Sequence, residues 1–236
     1  MPCDIWRAMG DFRRKEVLVW SWSLEAAALV GDDAEAMLSV DERQRRQSFL
    51  TPDLRRRFLA ARSGLRLVLA RHLDRNPRAL SFSSNEFGKP RLMGGKPVHF
   101  NLSHSGERAV LAVSDDVEVG IDLEQIRAIE HVDLARRYFH RNEVAAIERL
   151  RDTQEQHHAF FRIWTLKEAV VKALGTGLST PLDSFEISIA SSRPAMARAP
   201  MNAPRTWWLQ QATMDGYCLA LAVPGVGDVG LTHCTI

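Results

Sequence analysis

The chain has 236 residues, 45% hydrophobic and 25% charged, which is ordinary for a globular protein with one large or two small domains. A formal net charge of +2 is too small to indicate nucleic-acid binding, and no apolar stretch is long enough for a membrane span. The charge is nevertheless uneven, because arginines crowd residues 43–75 and residues 115–130 are mostly acidic. This asymmetry suggests a polyanionic ligand that binds together with a divalent cation.

The three cysteines, Cys3, Cys218 and Cys234, are scattered and show no CxxC spacing, which argues against a disulfide framework or a zinc site. Residues 1–10 lack the apolar segment of a secretion signal. We therefore expect a protein of the reducing cytoplasm, with neither nucleic acid nor membrane among its partners.

Hydrophobic periodicity predicts an α+β protein. In the first part of the chain, the predicted elements are a strand at 17–22, a long helix from Pro52 to the Asn-Pro pair at 76–77, and strands at 80–83, 98–102 and 109–113. In the second part, they are a strand at 117–124, helices at 133–139, 142–150 and 154–174, and strands at 185–189, 206–213, 217–223 and 229–233.

The order strand, helix, strands occurs on both sides of about Asp115, so we predict two similar α+β halves, residues 1–115 and 116–236. The last predicted helix should end at Gly175, which suits a left-handed cap. The Pro- and Ala-rich loop at 191–204 is more typical of a hairpin excursion than of a domain linker.

The alternating apolar and acidic segment at residues 119–124 is the first candidate for chemistry. As a strand, it would place Ile121 and Leu123 on one face and Asp122 and Glu124 on the other. Two adjacent carboxylates repel each other unless a cation lies between them, and oxygen ligands favour a hard divalent cation. The pattern predicts a metal site that needs a further oxygen ligand.

A candidate for that ligand lies on the predicted helix at 160–174, where Trp164, Glu168 and Lys172 recur every four residues and share one face. Alone, the last two could form a surface ion pair worth about 0.3–0.5 kcal/mol. Lys167 lies about 100° away around the helix. Its role stays open between a phosphate contact and a structural partner.

Two turns carry groups that suit phosphate oxygens. Residues 101–106 (Asn-Leu-Ser-His-Ser-Gly) combine hydroxyls, an imidazole and backbone N–H groups at a glycine turn. A polar hairpin with a satisfied histidine would explain the same pattern. Residues 87–90 (Phe-Gly-Lys-Pro) are a weaker signal, because such residues are common in turns.

Taken together, these motifs resemble one known family. Residues 87–90, 101–106, 120–124 (Gly-Ile-Asp-Leu-Glu) and 164–172 (Trp-Thr-Leu-Lys-Glu-Ala-Val-Val-Lys) follow one another as in the Sfp-type 4′-phosphopantetheinyl transferases. The resemblance covers residues 39–177, and more loosely extends to the strand at Tyr217. It implies the phosphopantetheinyl transferase fold, with two halves related by pseudo-twofold symmetry. It also implies transfer of the 4′-phosphopantetheine arm of coenzyme A to a serine of an apo acyl or peptidyl carrier protein, with release of adenosine 3′,5′-bisphosphate.

The resemblance further implies the ligands. Asp122, Glu124 and Glu168 would hold Mg²⁺, or Mn²⁺ with its similar oxygen shell, against the pyrophosphate of coenzyme A. The family lysine three residues before Arg45 is Glu42 here, so the contacts to the 3′-phosphate must differ. The side chains that would contact coenzyme A are Arg45, Arg57, Lys89, Ser103, His104 and Lys172.

The attacking serine of the carrier needs a base. Glu168 is the first candidate for this catalytic role, acting directly or through a metal-bound water. Metal ligation would lower the pKa of Glu168 and weaken it as a base, so a metal-bound hydroxide is the competing candidate.

Carrier proteins are typically acidic around the modified serine, so the docking surface should be basic with an apolar centre. Residues 125–127 and 136–141 offer that mixture. We expect the docking residues to be Arg127, Arg136, Arg137 and Phe139. The alternative is a helix with a solvated arginine edge and buried aromatic side chains.

A chain with two halves does not need the trimer that half-length family members form, so we expect a monomer with coenzyme A in the cleft between its halves. Two other functions would use the same ligands. One is a Mg²⁺-dependent coenzyme A phosphodiesterase or hydrolase, and the other is a carrier-binding protein without turnover.

Overall fold

The computed structural model describes residues 15–236. Cys3 and the predicted lack of a secretion signal in residues 1–10 lie outside the described residues. Within the described range, α-helices and strands alternate and confirm the α+β class. The elements are β1 (Lys15–Ser23), α1 (Asp32–Met37), α2 (Val40–Gln47), α3 (Pro52–Leu73), β2 (Phe82–Ser84), β3 (Pro90–Leu92), β4 (His99–Ser105), β5 (Arg108–Ser114), β6 (Gly120–Gln125), α4 (His131–Tyr138), α5 (Arg141–Glu148), α6 (Thr153–Leu174), β7 (Glu186–Ser188), β8 (Ala195–Arg198), β9 (Trp207–Met214), β10 (Tyr217–Pro224) and β11 (Val229–Thr235).

The longer strands form two sheets, with the orders β11-β1-β5-β4 and β6-β10-β9. All neighbours in these sheets are antiparallel except β1 and β11, which run parallel. Two small hairpins, β2–β3 and β7–β8, complete the strands. The second hairpin covers much of the loop at 191–204, which confirms the predicted hairpin excursion.

The predicted boundary near Asp115 falls between β5 and β6, which belong to different sheets. The chain nevertheless returns to the first sheet at its end, because β11 pairs with β1 from Lys15↔Val229 to Ser21↔Thr235. The division into halves at 115 stays a prediction, and the final strand contributes to the first sheet.

Two 22-residue helices cover the sheets, and each is delimited by its own sequence signals. The N-cap of α3 is Thr51, and Pro52 follows it in the first turn. The N-cap of α6 is Asp152, whose side chain accepts hydrogen bonds from two backbone N–H groups. Helix α6 ends at Gly175 with a φ of 68°, as predicted. No helix in residues 15–236 is long and apolar enough to cross a bilayer.

The contact between β6 and α6 brings the site together. A Cβ atom on Gly120 would lie 2.0 Å from the carbonyl oxygen of Ala169 and 2.3 Å from the amide nitrogen of Ala173. Only glycine therefore lets the start of β6 touch the backbone of α6. The strand then carries Asp122 to Lys172 of this helix.

Candidate active site

Strand β6 presents its acids on one face, as the alternation predicts. Ile121 and Leu123 are buried in a hydrophobic cluster between the two sheets. Asp122 faces the other way, toward Lys172 of α6, and is only 3% exposed. Glu124 is half-buried further along the same face.

Strand β4 holds β6 in place through side chains. The side chains of alternate β4 residues accept hydrogen bonds from alternate backbone N–H groups of β6. Side-chain oxygens therefore take the place that backbone carbonyl oxygens have between the strands of a normal sheet. The three bonds are Ile121 N–H to Asn101 Oδ1 at 2.8 Å, Leu123 N–H to Ser103 Oγ at 3.2 Å and Gln125 N–H to Ser105 Oγ at 3.1 Å.

The serine hydroxyls of this side-chain ladder also orient the two acids. Ser103 donates to Asp122 Oδ1 at 3.0 Å, and Ser105 donates to Glu124 Oε2 at 2.9 Å. The sequence motif alone assigns no role to Asn101 and Ser105, although their spacing of two from Ser103 along a strand places all three side chains on one face. The acids are therefore fixed by the neighbouring strand.

The Lys172 ammonium contacts the carboxylate of Asp122, at the position where the acidic pattern predicts a cation. Its Nζ lies 2.5 Å from Asp122 Oδ1 and 3.0 Å from Ser103 Oγ. The Ser103 hydroxyl thus donates one hydrogen bond and accepts two, which is its full capacity. Lys172 is not simply the partner of Glu168 in a surface ion pair, since its ion pair is with Asp122.

The three predicted metal ligands share one electrostatic environment. Burial, then the charge of Asp122, raises the pKa of Glu124 and also that of Glu168. Asp122 Oδ2 is buried and has no hydrogen-bond partner among the described residues. Within residues 15–236, however, no group of three or more His, Cys, Asp or Glu side chains is arranged to hold a metal ion by itself.

Two further predicted residues lie beside this cluster. Desolvation by the surrounding protein, followed by the charges of Lys172 and Arg57, lowers the pKa of His104 although its side chain still reaches solvent. Arg57 forms ion pairs with Glu107 at 2.5 Å and with Asp53 at 2.7 Å. Positive charge from Arg57 of α3 and Lys172 of α6 therefore acts on the imidazole of His104 and favours its neutral form.

The other predicted contacts lie in different surroundings. Arg45 is exposed in the last turn of α2, and its role stays a prediction. Glu42 points into the protein, where it closes the capping box of α2 with Ser39 and accepts from Arg66 at 2.8 Å. Glu42 therefore has a structural role in this fold. Lys89 is almost enclosed by internal acceptors, so its predicted contact with coenzyme A also stays a prediction.

The arginines of the predicted docking surface are exposed, but its aromatic residue is buried, as the alternative interpretation expects, and docking itself stays a prediction. Arg127, Arg136 and Arg137 are exposed. Phe139 is only 3% exposed and stacks on Phe160 at 5.1 Å, because the apolar side of α4 packs against α6. Its side chain is a core residue and does not present a surface to a partner.

The open role of Lys167 is structural. Its side chain is fully buried, with Nζ 2.8 Å from Glu143 Oε2 and 2.7 Å from the carbonyl oxygens of Leu182 and Phe185. Burial lowers the pKa of Lys167 and raises that of Glu143, while their mutual attraction opposes both shifts. The pair joins α6 to α5 and to the segment before β7.

Comparison with known proteins shows which family this chain is similar to. Residues 118–222 match the family model of the 4′-phosphopantetheinyl transferase superfamily. The 4′-phosphopantetheinyl transferase HetI of Nostoc sp. is 37% identical over 217 residues, covering 90% of this chain and 89% of HetI. Sfp of Bacillus subtilis, also a 4′-phosphopantetheinyl transferase, is 34% identical over 164 residues, covering 64% of this chain and 72% of Sfp. A crystal structure of Thermotoga maritima holo-[acyl-carrier-protein] synthase (AcpS) shares 23% identity with a TM-score of 0.40, over 46% of this chain and 62% of that chain.

These matches identify the protein as an enzyme of the transferase class. The chain belongs to the 4′-phosphopantetheinyl transferase family, and the Sfp-type assignment predicted from its motifs is confirmed.

Proposed function

We propose that this protein transfers the 4′-phosphopantetheine arm of coenzyme A to a serine of an apo acyl or peptidyl carrier protein and releases adenosine 3′,5′-bisphosphate. The observation that supports the proposal is the meeting of β4, β6 and α6, where Ser103 and Lys172 bind Asp122 and the charges of Asp122 and Glu124 act on Glu168. Family membership over nearly the full length of HetI supports the same reaction.

The donor set fits Mg²⁺, or Mn²⁺ with the same preference for oxygen. Asp122, Glu124 and Glu168 offer carboxylate oxygens alone, and the buried Oδ2 of Asp122 lacks a partner among the described residues. Mg²⁺ keeps several waters and usually takes one or two carboxylates together with substrate phosphates, so a closed protein cage is not needed. When bound to these three residues, the ion would neutralise the pyrophosphate and the charge that develops on the leaving group.

The cations Lys172 and Arg57, with the imidazole of His104 beside them, suit the phosphates of coenzyme A. The Lys172 side chain is 28% exposed, and its flexible stem allows the ammonium to turn from Asp122 to a phosphate oxygen. Arg57 and His104 lie on the same side, and a phosphate could take the place of Glu107 as the partner of Arg57. These three residues are the proposed phosphate contacts that the geometry favours.

The chemical step is a displacement at the phosphorus that carries the pantetheine. The serine oxygen of the carrier forms a new bond to this phosphorus, and the bond from phosphorus to the oxygen of adenosine 3′,5′-bisphosphate breaks. Glu168 is the proposed acceptor of the serine proton, because it is half-buried at the site and, unlike Asp122, has no ion pair among the described residues.

The exposed arginines Arg127, Arg136 and Arg137 are the proposed contacts to an acidic carrier. All groups of the site come from one chain, so we also propose that the protein acts as a monomer. Cys218 is a buried free thiol, which is compatible with the proposed action in the reducing cytoplasm.

The function is tested by incubating the protein with coenzyme A, Mg²⁺ and an apo carrier protein, followed by intact-mass measurement of the carrier. A mass gain of one phosphopantetheine group is expected. Release of phosphopantetheine without labelling would indicate a hydrolase, and no turnover would indicate a binding protein. Asp122→Asn should abolish labelling, whereas the matched Asp116→Asn, at an exposed acid before the same strand, should leave it intact.

A further inference from the structure

Lys89 reaches from the first half of the chain into the second. It lies at the end of the turn between β2 and β3, yet its Nζ is 2.7 Å from Glu118 Oε2, 3.0 Å from the carbonyl oxygen of Ala173 and 3.3 Å from that of Val119. Only 9% of the side chain is exposed. All three N–H donors of the ammonium therefore have internal acceptors.

These acceptors lie at the two elements that carry the acids of the proposed site: Ala173 is in α6, and Glu118 and Val119 directly precede β6. Ala173 lies in the last turn of α6, next to Lys172. The last carbonyls of a helix have no partner within the helix and form its negative end, so an ammonium there is favourable. Lys89 thus joins the end of α6 to the start of β6.

Asn85 reinforces the same junction from the other end of the turn. Its side-chain amide donates to the carbonyl oxygen of Gly175 at 2.7 Å. Its Oδ1 accepts from the backbone N–H groups of Lys89 at 2.8 Å and of Phe87 at 3.0 Å, which fixes the turn. We call Asn85 and Lys89, with their bonds to Val119, Ala173 and Gly175, the clasp.

We propose that Lys89 is a positioning residue: the clasp sets α6 on β6 so that Glu168 and Lys172 meet Asp122. An enclosed ammonium with three acceptors has no donor left for a phosphate. Turning it outward would leave the carbonyl groups of Ala173 and Val119 unpaired, which is costly in a buried position. The inference rests on the proposed function and replaces the expected nucleotide contact of Lys89 with an indirect role.

The clasp is tested first without any ligand, by hydrogen exchange of the full-length protein. Lys89→Met should speed exchange of the amides in the last turn of α6, including the Gly175 N–H that bonds to Val171, by about tenfold. The control is Lys96→Met, which removes an exposed lysine paired with Asp115 at 2.7 Å. Unchanged exchange in Lys89→Met would overturn the proposal.

The second test separates positioning from direct contact. Mn²⁺ binding is measured by electron paramagnetic resonance in the presence of coenzyme A, and transfer is compared for coenzyme A and 3′-dephospho-coenzyme A. The clasp predicts that Lys89→Met weakens Mn²⁺ binding by about tenfold, while the ratio of kcat/KM for the two substrates stays at the wild-type value. A collapsed ratio with unchanged Mn²⁺ binding would establish a phosphate contact and overturn the proposal.

A milder variant covers the case in which Lys89→Met does not fold. Asn85→Asp keeps the oxygen that fixes the turn but removes the donor to Gly175, so the same region should exchange several-fold faster. Wild-type exchange in this variant would count against the clasp. If the wild-type protein itself transfers nothing to a carrier, the proposed function fails, and the exchange result still decides on the clasp.

Discussion

Replacing Lys167 by methionine should destabilise the fold strongly without altering coenzyme A recognition in the folded protein. Lys167 and Glu143 are 0% and 1% exposed, so the substitution would leave a buried carboxylate without its counter-ion. It would also remove the donor to the carbonyl groups of Leu182 and Phe185. Breaking a buried pair in this way costs about 3–5 kcal/mol. At about 2–4 °C per kcal/mol for a chain of this size, Tm should fall by roughly 6–20 °C.

Urea unfolding and thermal melting measure this loss, and the KM for coenzyme A is determined below the melting range. The double variant Lys167→Met with Glu143→Gln should recover part of the stability, because no charge is then buried without a partner. Lys96→Met removes an exposed lysine instead and should change stability by no more than about 0.5 kcal/mol. A Lys167→Met protein that melts like the wild type but has a raised KM for coenzyme A would refute the structural role and restore the phosphate contact.

Three further predictions address the acids, the buried glutamate and the docking surface. Ser105→Ala removes the hydroxyl that orients Glu124, so the Mg²⁺ concentration for half-maximal transfer should rise several-fold, and an unchanged metal titration would contradict this role. Burial alone would raise the pKa of Glu42, but the neighbouring arginines and backbone bonds lower it below 4.5. The free energy of unfolding of the wild type should therefore exceed that of Glu42→Gln by a constant amount above pH 4.5, and this excess should shrink as the pH falls through the lowered pKa of Glu42. An excess that grows in acid would contradict the prediction. Reversing the charges of Arg136 and Arg137 to glutamate should raise the KM for an acidic carrier while that for coenzyme A stays constant, and equal effects on both would remove these residues from docking.

The parts of the site that depend on local periodicity could be predicted from the sequence. The period of two at residues 119–124 determines the acidic face of β6, and the recurrence of every fourth residue gives the face of α6. Both are properties of the segment itself. Helices α1 and α2 were not predicted, because they have only six and eight residues. The capping box of Ser39 and Glu42 was the signal available for the second of them.

The roles that depend on distant partners could not be read from such patterns. The sequence around Phe139 allows both a docking role and burial, and packing on Phe160 of α6 decides for burial. Lys167 finds its counter-ion 24 positions earlier, in α5, and Lys89 finds acceptors 29, 30 and 84 positions later. The parallel pairing of β1 and β11 likewise joins opposite ends of the described chain. None of these contacts leaves a periodic signal, since each is set by packing of the complete fold.

The acids lie in the second half of the chain, but the groups that hold them come from the first. The hydroxyls of Ser103 and Ser105 belong to β4, and the clasp enters from the turn after β2. A strand whose backbone is bound by the side chains of its neighbour can shift only if those side chains shift with it. Any movement between the halves would therefore change the positions of Asp122 and Glu124 directly. The junction is part of the proposed active site, and residues 116–236 alone would lack the β4 side chains that hold the acids in register.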